Sequence, residues 1–98
     1  LEGGLLSKFF STPALTMTLV SRLRLKTGAP CHSVYCLRKP EGKGFEVVYN
    51  QEVEGMDLDV QSSVDRMNEE LEKCIMIAPE QYAWEYKRYK HSGLKDIY

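Results

Sequence analysis

His91 and Asp96 stand at the spacing of a proton-transfer pair, His-x-x-x-x-Asp. An imidazole with a pKa near neutrality can take a proton from a hydroxyl, and a carboxylate can orient the ring that does so. The intervening Ser92-Gly93-Leu94-Lys95 is a polar stretch with no strand before it. With two histidines and 14 acidic residues among 98, such a spacing also arises by chance. A motif counts only in its structural context, so His91 and Asp96 are read as a decoy. His32 has no acid at that spacing and reads as a structural histidine. Cys31, His32 and Cys36 lack zinc-site spacing and no second Cys/His pair is present, so no metal is expected. Gly42-Lys43-Gly44 reads as a turn, since a phosphate loop needs a strand before it and a helix after it.

The richer chemistry lies in Pro79-Glu80-Gln81-Tyr82-Ala83-Trp84-Glu85-Tyr86-Lys87-Arg88-Tyr89-Lys90, where three tyrosines and the single tryptophan alternate with charge and run into cations. Rings with polar tips beside cations suit an interface between apolar and aqueous phases, or a surface that holds phosphate. Packing of Tyr82, Trp84 or Tyr89 against the fold, with Lys87, Arg88 and Lys90 solvated, is the structural alternative. Phe9-Phe10 carries the same choice between core and pocket lining. Aromatics between cations also fit single-stranded nucleic acid, but the net charge of -1 and the lack of a binding signature argue against that partner.

These residues need elements to position them. Leu1 to Lys8 reads as a lead-in with a short strand at Leu5-Leu6. Thr12 can cap a helix whose first position is Pro13. Leu15, Leu19, Leu23 and Lys26 share a face, and Gly28 stops the helix, predicted over Pro13 to Thr27. Cys31 to Leu37 and Phe45 to Tyr49 are strands around the Pro40 to Gly44 turn, a hairpin. Gln51 to Asp57 is an acidic loop. Asp59 opens a second helix with an apolar stripe of Val60, Val64, Met67, Leu71 and Ile75. Glu69, Glu70, Glu72 and Lys73 fall mostly off that stripe and read as a solvated face. Pro79 restarts a short helix or turn, and His91 to Tyr98 is a tail.

Composition is that of an ordinary globular chain, 43% hydrophobic and 28% charged. Charge is segregated: +5 over residues 1–44, -8 over 45–80 and +2 over 81–98. Two basic regions able to meet anions thus flank an acidic middle. Three cysteines, Cys31, Cys36 and Cys74, make no disulfide framework and read as small buried hydrophobes in a reducing compartment. No run approaches the length of a membrane span. Residue 1 is Leu, so the chain is expected to be a piece of a longer polypeptide. A two-stranded hairpin buries little, so further strands are expected from residues upstream or from a partner.

Phe9-Phe10-Ser11-Thr12-Pro13-Ala14-Leu15-Thr16 resembles the Phe-Phe-Gly-x-Pro-Ala-x-Thr signature of the bacterial lipid A biosynthesis lauroyl/myristoyl acyltransferase family. Ser21-Arg22-Leu23 and Lys26-Thr27-Gly28-Ala29-Pro30 look like the family's next stretch, a helix and then Thr/Ser-Gly-Ala before a strand. Pro79 to Lys90 is similar to the family's Pro-Glu-Gln-(Tyr/Trp)-x-Trp-x-His-Arg-Arg-(Phe/Trp)-Lys. Ser11 replaces the family's Gly, and Tyr86 its usual His. The resemblance implies transfer of a fatty acyl group from acyl carrier protein, or coenzyme A, to a hydroxyl of a lipid A precursor at the cytoplasmic face of the bacterial inner membrane. It implies a catalytic His-x-x-x-x-Asp/Glu upstream of Leu1, so no catalytic group here and an inactive fragment. The fold implied is α/β: a partial sheet with a hairpin flanked by helices, the C-terminal part of a glycerophosphate-acyltransferase-like fold, over residues 1–90. Phe9, Phe10, Trp84, Lys87, Arg88 and Lys90 are the residues expected to meet substrate or membrane. The partners implied are an anionic lipid acceptor, acyl carrier protein and the inner-membrane surface, with no cofactor beyond the thioester substrate. The alternatives are a related acyltransferase with a different lipid acceptor, or a small non-enzymatic interaction module.

Overall fold

The computed structural model describes residues 4–83 and 86–89. Two antiparallel hairpins pack on one long helix. The first pairs β1 (Gly4–Phe9) with β2 (Thr12–Met17). Helix α1 (Leu19–Thr27) comes next. The second hairpin pairs β3 (His32–Arg38) with β4 (Phe45–Glu52) across a short 3-10 turn at Pro40–Gly42. Helix α2 (Val60–Ile77) then runs between the hairpins, and a 3-10 turn at Pro79–Gln81 ends the regular structure. The architecture is small mixed α/β, with two separate two-stranded sheets in place of the single hairpin expected.

Helix α2 forms where the sequence puts it. The Asp59 carboxylate accepts from the Ser62 N–H at 2.7 Å and caps the first turn. That bond also holds the Asp59 carboxyl below the usual carboxylate range. At the other end Pro79 disfavours helical geometry at Ala78, whose φ is -145°. Of the predicted stripe, Val64 is fully buried, while Val60, Met67 and Ile75 are half-buried and Leu71 is exposed. The deepest positions also include Ser63, Asn68 and Cys74.

The predicted helix over Pro13 to Thr27 is corrected. Its first third is β2, and the helix begins only at Leu19. Thr12, Ala14 and Thr16 alternate inward opposite Phe9, Ser7 and Leu5, so period two governs there. Helix propensity loses to pairing with β1, a strand that extends well beyond Leu5-Leu6. The Leu15, Leu19, Leu23 face is not the buried one either: Leu19 and Leu23 are 65% and 51% exposed, and α1 buries Ser21 instead. Gly28 does end the helix, at φ 72°, with its N–H on the Arg24 carbonyl. Cys74 is buried, but Cys36 is exposed and Cys31 half-buried, correcting the reading of three buried thiols.

The β1–β2 turn explains why that hairpin is hard to read from sequence. Its two central residues, Phe10 and Ser11, have φ of 50° and 65°, the positive values that two-residue hairpin loops of type I′ require. Glycine or asparagine usually signals such a turn, and neither is present. A side chain at positive φ costs about 1–2 kcal/mol per residue relative to the right-handed region. Ser11→Gly is therefore expected to stabilise the chain by about 0.5–1 kcal/mol after the added unfolded-state entropy is deducted. A thermal melt that does not rise would contradict the turn geometry.

Candidate functional site

Polar side chains on α2 fasten the first hairpin. Gln61, Asp65, Asn68 and Glu72 fall at i, i+4, i+7 and i+11, one helical face. Gln61 Nε2 donates to the Leu6 carbonyl at 3.0 Å. Ser7 Oγ donates to Asp65 Oδ1 at 2.7 Å. Asn68, fully buried, donates from Nδ2 to Thr16 Oγ1 at 2.9 Å. The Phe10 N–H in the turn donates to the Glu72 carboxylate. A second rail serves the other hairpin. Glu70 accepts from Ser33 Oγ at 2.7 Å and from Arg66 Nη2 at 3.2 Å. Glu70 and Glu72 thus leave the solvated face assigned to them: each carboxylate is bonded to a hairpin.

The two signature segments meet on this frame. Arg88 reaches back across the chain: Nη1 donates to the Leu15 carbonyl at 2.9 Å, and Nη2 to Thr16 Oγ1 at 2.7 Å and Asn68 Oδ1 at 3.3 Å. Its guanidinium lies 5.2 Å from the centroid of the Phe9 ring, within cation–π range. Tyr89 donates its hydroxyl proton to the Phe9 carbonyl. The Tyr82 and Tyr89 rings stand 6.5 and 6.3 Å from that of Phe9, which is itself edge-on to Phe10. Gln81 accepts from the Arg38 N–H at 2.7 Å, and its Nε2 lies 3.5 Å from the Arg38 carbonyl, so its amide occupies the β3 edge as a neighbouring strand would.

Beneath Phe9 lies a cavity of about 220 Å³ between α2, β3 and the Pro79–Gln81 turn. Leu71, Ile75, Ala78 and Tyr82 line it with Phe9, and Arg88 reaches its wall. Among the described residues no carboxylate pairs with Arg88; the ion pairs there are Arg24–Glu52, Lys43–Glu41 and Arg66–Glu70.

The structure therefore places the sequence candidates unequally. Phe9 is buried, Phe10 half-buried and Lys87 exposed. Arg88 is half-buried and bonded to the fold. Trp84, Lys90, His91 and Asp96 lie outside the described residues, as does the tail from His91 to Tyr98. The His32 Nδ1 stands 3.0 Å from the Asn50 carbonyl, a bond that requires the proton on that nitrogen. Sequence reasoning misses Asn68, Glu72 and Gln81. Asn68 sits next to Met67, so the only available signal is an amide flanking the apolar stripe of a helix.

Both segments and all that joins them fall within one family match. A model of the bacterial lipid A biosynthesis acyltransferase family covers residues 2–91, and the chain belongs to that family. It is 33% identical over 93 residues to the lipid A biosynthesis palmitoleoyltransferase of Escherichia coli (strain K12), a match taking in 91% of this chain and 29% of that protein. A lipid A biosynthesis acyltransferase of Shigella flexneri matches to the same extent. The lipid A biosynthesis lauroyltransferase of Escherichia coli (strain K12) is 43% identical over 54 residues, 54% of this chain and 18% of the relative. The chain thus spans less than a third of the length of these curated relatives. No helix among the described residues is long and apolar enough to cross a membrane.

Two tests address the frame. Asn68→Ala removes a donor and an acceptor at a fully buried position and is expected to cost about 2–3 kcal/mol in urea unfolding; a loss below about 0.5 kcal/mol would show that the node is dispensable. The second concerns pH. The bond from Ser33, reinforced by Arg66, outweighs desolvation and holds the Glu70 carboxyl below its ordinary range. Its folded pKa being the lower one, Glu70 contributes stability above the unfolded value of about 4.3 and loses it as pH falls through the folded value. Glu70→Gln should therefore be less stable than the parent chain near pH 6, with the gap narrowing in acid. A gap independent of pH would refute the ionic role.

Proposed function

We propose that this chain is the C-terminal portion of an enzyme that transfers a fatty acyl group from acyl carrier protein to a hydroxyl of a lipid A precursor at the inner-membrane surface. The observation that carries the reading is the closure of the Phe9–Thr16 hairpin against Tyr82, Arg88 and Tyr89. Both segments resemble the family's signatures, and in the fold they form one unit. The general base would be a histidine ahead of Leu1, oriented by a carboxylate in the His-x-x-x-x-Asp/Glu pattern. The segment's share of the work is architectural: it fixes the Phe9-Phe10 turn and offers sheet edges to the preceding part of an acyltransferase-like fold. The exposed outer face of the second hairpin, with Val34, Phe45, Val47 and Tyr49, supports that reading, since apolar surface of this extent is ordinarily covered.

Incubation of the full polypeptide with acyl carrier protein thioester and a lipid A precursor should yield a lipid heavier by one acyl group in mass spectrometry, and the 98-residue chain alone should yield none. A folded full polypeptide that leaves the precursor unmodified would overturn the assignment. At the membrane, Lys87 is the described signature cation that faces solvent, and Lys90 is its companion in sequence. Lys87→Ala in the full polypeptide should weaken binding to anionic vesicles about fivefold at low salt, a cation near such a surface contributing about 1 kcal/mol. Unchanged binding would remove Lys87 from the membrane surface.

A further inference from the structure

We infer that Glu72 and Tyr89 are positioning residues for the lipid acceptor: together they clamp one peptide group, the Phe9–Phe10 amide, and so hold the Phe10–Ser11 corner in the form that meets the acceptor. The inference deepens the acyl-transfer reading above and rests on it. A single amide is gripped at both ends. Its carbonyl, on Phe9, accepts from the Tyr89 hydroxyl, and its N–H, on Phe10, donates to the Glu72 carboxylate. In a trans peptide these two groups point in opposite directions, so the grips come from opposite sides. Both partners are remote, 62 positions away for Glu72 and 80 for Tyr89. Rotation of a planar amide is the motion that changes φ of the residue after it. The two bonds therefore fix φ of Phe10 at 50°, and Ser11 follows at 65°.

A turn needed only to join two strands would be made at less cost by Asn-Gly. Here two consecutive side chains take left-handed backbone, over-determined by bonds from α2 and from the C-terminal segment. Strain of this kind concentrates where a ligand is clamped or positioned. The corner also has groups to present. Phe10 is half-buried and Ser11 exposed. Ser11 borders a groove of about 480 Å³ together with Ser7, Lys8, Gln61 and Asp65. Hydroxyls, an amide and charged groups match the hydroxyl-bearing side of the acceptor and not an aliphatic chain.

The test is the steady-state kinetics of the full polypeptide, with the acceptor varied and the acyl carrier protein thioester saturating. Tyr89→Phe, which removes only a hydroxyl, should raise the acceptor KM about fivefold, and Glu72→Ala about tenfold, as expected for loss of a neutral and of a charge-assisted hydrogen bond. kcat should change little, because the bond-making groups are untouched. Glu72→Gln, which keeps an oxygen facing the Phe10 N–H, should recover most of the loss. Ser11→Gly separates stability from function: the melt rises and the acceptor KM rises with it, because the relaxed corner no longer keeps one conformation. A merely structural role gives the reverse pattern, kcat falling with the folded fraction at constant KM. That pattern, or an unchanged KM in all the variants of an active enzyme, would overturn the positioning role. The clamp is also read without activity, by hydrogen exchange of the Phe10 amide in the 98-residue chain. Exchange should quicken at least about tenfold in Glu72→Ala, as the amide loses its bond. Unchanged exchange would overturn the clamp. An inactive wild-type full polypeptide would instead remove the acyl-transfer reading, and the acceptor role with it.

Discussion

Everything in this fold hangs on a polar junction: Thr16, Asn68 and Arg88 share one set of hydrogen bonds at the place where hairpin, helix and C-terminal segment meet. The apolar core is small. Among the described residues Phe9, Ala14, Val53, Met56, Val64 and Cys74 are its buried hydrophobes, beside buried Ser7, Thr16, Thr18, Ser21, Ser33, Ser63 and Asn68. Burial of so little apolar surface leaves many registers of hairpin on helix nearly equal in energy. Directional bonds remove that degeneracy, because a buried donor or acceptor left unpaired costs more than a misplaced methyl group.

That arrangement also gives three of the described signature residues a structural task. Gln81 is bonded to a strand edge, Tyr89 to a turn carbonyl and Arg88 to a hydroxyl, an amide and a carbonyl. Their common product is a fixed Phe9-Phe10 turn over an apolar chamber, with a guanidinium in its wall. A segment built this way shapes a surface, within a stretch that spans less than a third of the length of its relatives.

The elements legible in advance are those specified by their own residues. Asp59 caps α2, an apolar stripe runs along it and Pro79 closes it, all within one local window. The Pro40 to Gly44 turn announces the second hairpin in the same way. The first hairpin carries the opposite local message, because Thr12-Pro13 imitates a helix start and Phe10-Ser11 lacks the glycine that marks a tight turn. Only pairing with Gly4–Phe9 and bonding to residues more than 50 positions away make Thr12–Met17 a strand. Glu70 and Glu72 mislead for a related reason: carboxylates off an apolar stripe read as solvated unless their distant partners are known.

The sequence by itself determined the second helix, the second hairpin, the charge segregation and the two signatures that resemble the acyltransferase family, since each is written in neighbouring residues. Tertiary structure alone decided that the two signatures touch, that Arg88 turns inward to Asn68 and Thr16, and that an apolar chamber opens beneath Phe9. Those facts depend on contacts between positions 20 to 80 residues apart. Local propensity and periodicity carry no information about such pairs, because the energy that selects them appears only once the chain has closed.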